Sequence, residues 1–133
     1  HYSMPNVMMK LGNYEFSVET AAYEQLTRTT RYRWEKQDHT GVTSAMQYLG
    51  PGTDEISLNG VIYTHYKGGL GQINAMRAQA STGLPLELVN FEGKIHGRWI
   101  INEIEEQQTV FDIGGQPLKQ TFRLRISAYG ETS

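Results

Sequence analysis

Three groups of residues in this sequence are of types that could do chemistry. The first is Gly68-Gly69-Leu70-Gly71, where a strand-like run gives way to a helix-like one. A phosphate cradle needs backbone N–H groups converging at a helix N-terminus, commonly with a lysine after the last glycine. Here Lys67 precedes the glycines, no Gly-Lys-Ser/Thr follows, and Gly-x-Gly-x-x-Gly is absent. That spacing favours a tight strand-to-helix turn in which glycines supply positive φ. The second group is His39, His65 and His96, which form neither HExxH nor an i, i+4 pair, so spacing gives no metal site. The third is carboxylates, Asp54-Glu55 and Glu103/Glu105/Glu106, which could serve as an acid and base pair for glycoside hydrolysis. Charges on turns and strand surfaces account for them more simply. No Gly-x-Ser-x-Gly elbow is present. The expectation is a protein with no catalytic residue, no cofactor and no metal.

The arginines Arg28, Arg31, Arg33, Arg98, Arg123 and Arg125 could form a basic face for phosphates or for an acidic partner. Glu35, Glu103 and Glu105 can neutralise that face across neighbouring strands. Overall, 12 basic and 14 acidic residues leave a net charge of −2, whereas a dedicated nucleic-acid binder is normally basic. Nucleic acid is therefore disfavoured as a partner. The chain has no cysteine, which excludes disulfides and thiolate chemistry. No apolar run approaches the ~20 residues that span a bilayer, and the opening HYSMPNVMMKLG has no signal-peptide core. Its 133 residues suit one domain. His1-Tyr2-Ser3 ahead of Met4 reads as a remnant of expression, giving a domain of residues 4–133.

The elements that must position these groups follow from periodicity. Val7, Met9 and Leu11 alternate, as do Tyr14, Phe16 and Val18 after Gly12-Asn13, a hairpin signal. TAAYEQL, Thr20–Leu26, reads as one or two helical turns capped by Thr20. TRTTRYRWEKQD returns to period two. A short strand at Ala45–Leu49 is expected to stop at Gly50-Pro51-Gly52. Ile56, Leu58 and Ile62 form one face of the next strand, with Gly60 marking a bulge or a close backbone approach. Val61, Ile62 and Tyr63 in succession predict that its second half is covered on both sides. Leu70, Ile73, Met76 and Ala80 follow helical spacing, and Thr82-Gly83 with Pro85 ends the helix, predicted over Leu70–Ser81. Two strand pairs follow, with turns at Asn90–Lys94 and at Gly114-Gly115. The final run alternates Phe122, Leu124, Ile126 and Ala128 with Thr121, Arg123, Arg125 and Ser127. The fold class is α+β, mainly antiparallel β, with one principal helix.

Four stretches together resemble a known family, the GpU-type tail proteins of contractile-tailed, P2-like phages and prophages. They are LGNYEFSVETAAYEQLTRTTRYRWEKQD, YLGPGTDEISLNGVIYTHYKGGLGQINAMRAQASTGLPLELV, GKIHGRWIINEIEEQQTVF and FRLRISAYGE, which run from Leu11 to Gly130. The resemblance implies a compact sandwich or barrel of the tail-tube type, with Gly68–Gly71 a hinge between strand and helix. It also implies a non-enzymatic structural part of a virion tail or tail-like particle, assembled in the bacterial cytoplasm. Such a part would sit near the baseplate end of the inner tube and be needed for tail assembly. The implied partners are the tube, baseplate hub and tape measure proteins, together with further copies of the chain in a ring. No membrane or small-molecule substrate is implied. A tail completion or terminator protein and a tail-associated hydrolase are the alternatives. With eight tyrosines in the chain and aromatics favoured at interfaces, Tyr32, Trp34, Tyr63, Tyr66 and Trp99 are the expected interface residues.

Overall fold

A computed structural model describes residues 7–17, 20–37, 45–65 and 69–130. In chain order the elements are β1 (Val7–Leu11), β2 (Tyr14–Ser17), β3 (Tyr23–Gln37), β4 (Ala45–Tyr63), α1 (Gln72–Ser81), β5 (Leu86–Val89), β6 (Ile95–Phe111) and β7 (Pro117–Ala128). All seven strands join one antiparallel sheet in the order β2-β1-β5-β6-β7-β4-β3. The sheet curls until its two margins meet. The Tyr23 hydroxyl on β3 donates to the Met8 carbonyl on β1 at 3.4 Å, and the Phe16 and Tyr23 rings pack edge-on at 5.9 Å. The result is a half-barrel with its apolar residues inside.

Alternation builds that interior. Ile56, Leu58 and Ile62 of β4 face inward beside Phe122, Leu124 and Ile126 of β7, joined by Met9, Leu11, Phe16, Leu86, Leu88 and Trp99. The predicted period of β7 holds, except that Ala128 is exposed where the strand ends. The helix α1 begins two residues later than its sequence period suggests and closes the core with only Ile73 and Met76; Leu70 lies before it, 50% exposed. Gly83 ends α1 with φ 70°, while Tyr14 and Asn13 of the first hairpin bind its Gln72 and Gln79 side chains.

Three expectations fail for physical reasons. TAAYEQL is not helical: Tyr23 onward pairs with β4, starting opposite Gly60, so ladder formation overrides a local helix preference. Gly50-Pro51-Gly52 does not end a strand, because β4 runs through it from Ala45 to Tyr63. β4 pairs with β7 only from Glu55 onward, so around Pro51 it has β3 on one side alone and a missing N–H costs nothing. Tyr63 is 50% exposed, so the second half of β4 is covered on one face only.

Candidate interaction surface

The glycine junction is a turn. Gly69 and Gly71 have φ of 61° and 98°, and Gly71 is the α1 N-cap with no side-chain cap; Gly68 lies outside the described residues. The Glu106 carboxylate lines the hollow at this end of α1, beside Gly71 and Asn74, which opposes an anion there. A Cβ on Gly71 would meet nothing within 4 Å, so Gly71→Ala tests backbone strain alone. The expected loss is about 1 kcal/mol, or about 4 °C in Tm. An unchanged melting curve would show that the turn does not need a glycine.

The carboxylates are tied to cations rather than poised for proton transfer. Asp54 accepts a bidentate pair from Arg28 at 2.9 and 2.6 Å, and the Thr30 hydroxyl at 3.2 Å; the Arg28 bonds hold its carboxyl below the usual range. Glu106 accepts from the Gln108 and Gln120 amides and from Arg77, each at 2.7 Å, and is likewise held low, first by Gln108. A general acid needs the opposite shift. Glu103 and Glu105 lie directly across from Arg125 and Arg123 on β7, at 3.5 and 3.9 Å. These pairs line two adjoining open basins of about 910 and 530 Å³ on the outer face of β3, β4, β7 and β6. The predicted neutralisation of the strand arginines is therefore present at these two positions. His96 hydrogen-bonds the Asn90 amide at 3.0 Å, and no group of three or more His, Asp or Glu able to hold a metal occurs among the described residues. His39 lies outside them.

What the surface does offer is apolar. Beyond Glu55, β4 leaves β7 and continues with β3 as a two-stranded arm. Tyr32, Trp34, Met46, Tyr48 and Leu49 are exposed there, and the Trp34 and Tyr48 rings pair across the strands at 5.0 Å. An isolated two-stranded ribbon is marginal in water, so this arm is a poor place to leave five large apolar groups wet. A second patch, Phe91 and Ile95, lies at the β5–β6 turn, and Leu84 is exposed separately ahead of β5. A third, Val110, Phe111 and Ile113, sits at the β6–β7 turn, where Val110 holds φ 58°, a costly conformation for a β-branched residue.

Of the five aromatic residues expected at an interface, Tyr32 and Trp34 stand together on the arm. Tyr63 is exposed near the other end of β4, and Tyr66 lies outside the described residues. Trp99 is a correction: it is 2% exposed, with its indole N–H donating to the His96 carbonyl at 2.9 Å and the Arg28 guanidinium over its ring at 5.7 Å. It holds the subunit together and cannot reach a partner. Met46, Tyr48 and Leu49 are the residues that sequence reasoning missed, because a strand expected to stop at Gly50 hides the arm.

Comparison with known proteins adds the following. The family model described as Phage P2 GpU matches residues 12–131. A probable tape measure protein of Halomonas phage phiHAP-1 is 30% identical over 107 residues; the match takes in 80% of this chain but only 12% of that protein. Among solved structures, the SPP1 Dit protein, described as a hub of the adsorption apparatus in phages infecting Gram-positive bacteria, aligns with TM-score 0.62 at 8% identity, over 91% of this chain and 49% of its own. A chain in the virion of a native gene transfer agent aligns with TM-score 0.56 at 12% identity, over 98% of this chain and 96% of its own.

Proposed function

The chain belongs to the Phage P2 GpU family, and from that premise we propose that it is a structural part of a contractile phage tail or tail-like particle. In this reading it sits at the baseplate-proximal end of the inner tube, forms a ring of copies there, and is needed for the tail to assemble. It performs no reaction. The observation that carries this is the family match over nearly the whole chain, on a subunit whose exposed aromatic residues project on an arm outside the core. The paired, cation-bound carboxylates support a structural role over a hydrolase, since neither low-shifted acid can donate a proton near neutrality. The likeness to an adsorption hub protein motivates the baseplate-proximal position, and the tape measure relative motivates that protein as a neighbour.

Deleting the gene from its phage or prophage and imaging the induced lysate tests the reading. The expected result is loss of complete, sheathed, infectious or bactericidal particles. Normal particles in the deletion would end it.

A further inference from the structure

We propose that the hollow between the N-terminus of α1 and strands β6 and β7 binds a peptide group, presented by the main chain of a partner polypeptide. The inference goes beyond the tail reading and does not depend on it.

The sheet builds one wall of this hollow by a change of chemistry along its inner face. Facing pairs on β6 and β7 run Ile104 with Leu124, Glu106 with Phe122 and Gln108 with Gln120. Alternation keeps them on one face, so a row that begins with isoleucine and leucine ends with a carboxylate and two amides. The hollow beside them measures about 320 Å³, and Gly71, Asn74 and Arg77 form its wall on the α1 side.

Glu106 fixes the Gln120 side chain. Its carboxylate accepts the Gln120 Nε2–H at 2.7 Å, and a flipped amide would set Oε1 against that carboxylate instead. Gln120 is 5% exposed, and its Oε1 is buried and accepts no hydrogen bond among the described residues. A buried acceptor in that state destabilises the fold, so a donor is the group this wall calls for. The α1 side offers the reverse. Its ladder opens with the Ala75 N–H donating to the Gly71 carbonyl, so the Ile73 and Asn74 N–H groups come before the ladder, and no side chain caps the helix. One wall presents donors and the other an acceptor.

Charge then selects the ligand. An anion meets the Glu106 carboxylate, while a cation meets the Arg77 guanidinium and the positive end of α1. The group that suits both walls is neutral, with a carbonyl on one side and an N–H on the other. A trans peptide group has that form, because its C=O and N–H point in opposite directions. The space is far larger than the share of about 30 Å³ that one water takes. Leu70 at the rim, 50% exposed, offers apolar contact to a side chain flanking the bound peptide group.

An NMR titration of the ¹⁵N-labelled chain with N-acetylglycine N-methylamide, a neutral probe built of peptide groups, tests this. The expected result is a saturable shift of the Ile73 and Asn74 N–H signals and of the Gln120 side-chain amide. Acetate and methylammonium should produce none. Acetamide, a primary amide like that of an Asn or Gln side chain, should bind more weakly than the probe. Gln120→Met keeps the length of the side chain without its acceptor, and should weaken the probe about fivefold, the worth of one hydrogen bond. Asn74→Asp, at an exposed first-turn position where an acidic residue favours the helix, should weaken it as well by placing a charge beside the probe's carbonyl. Circular dichroism identifies which variants are folded, and either one suffices. No saturable shift with the probe would mean that the hollow holds water only, and would overturn the proposal. Saturation by acetate or methylammonium, acetamide binding as tight as the probe's, or unchanged affinity in a folded variant would overturn it too. Each of these leaves the tail reading standing, because that reading rests on the deletion phenotype.

Discussion

Trp99→Ala is expected to cost about 4 kcal/mol and to lower Tm by roughly 10–15 °C, or to prevent folding outright. Trp99 sits where β6 changes ladders: it faces Leu86 on β5 and Ala128 on β7, so its indole fills the joint between the two halves of the sheet. Truncation leaves a cavity as large as the indole and strips the His96 carbonyl of its donor. Replacing Trp34, an aromatic of the same type left 55% exposed on the arm, should cost no more than about 1 kcal/mol, the range of a cross-strand pair. Urea unfolding of the two variants separates these roles. Equal losses would mean that the arm and the core contribute alike, contrary to the burial pattern.

Gly60→Ala is expected to be nearly as damaging, at about 3 kcal/mol. Gly60 has ordinary backbone dihedrals, so strain is not the cause. A Cβ there would stand 2.4 Å from the Ala22 carbonyl oxygen, 2.9 Å from the Tyr23 Cα and 3.0 Å from the Phe122 ring. Two of those three neighbours are backbone, and backbone cannot swing away. The site lies where β3 starts its ladder with an irregular register between Tyr23 and Gln25, so relief would require moving the entry to β3. Thermal unfolding checks this against Gly71→Ala: the first should shift Tm about three times as far as the second. A Gly60→Ala protein as stable as the parent would show that the approach relaxes freely.

The sequence was most readable where one face of a strand is buried and the other is wet, because only there does a period of two carry information. β7 is such a strand, and its inward residues are legible without a structure. The Gly12-Asn13 hairpin, the turns at Asn90–Lys94 and Gly114-Gly115 and the close approach at Gly60 were legible for a similar reason: each is a local backbone demand. The continuity of the arm with the sheet was not legible. Its two strands are visible as TRTTRYRWEKQD and Ala45–Leu49, but with both faces wet nothing marks them as one long ribbon, and Pro51 reads as a stop unless one knows that β4 has already left β7. Trp99 failed for the opposite reason. A tryptophan flanked by Arg98 and Ile100 looks like an interface residue, and its full burial depends on finding the His96 carbonyl three residues back.

The order β2-β1-β5-β6-β7-β4-β3 also has a consequence in time. β3–β4 and β6–β7 are hairpins that can zip as soon as their own residues exist, but the sheet becomes one body only when Leu58 finds Leu124 and Leu11 finds Leu88. Those meetings require long loops to close before any burial rewards them, which places such a chain among the slow folders, in milliseconds to seconds. During that interval a newly made subunit shows its aromatic ribbon before it has a finished body. The cell that makes it therefore has to keep unfinished copies apart, and the charged side chains on the edge strand β3, Arg31, Arg33, Glu35 and Lys36, disfavour pairing with another chain's edge.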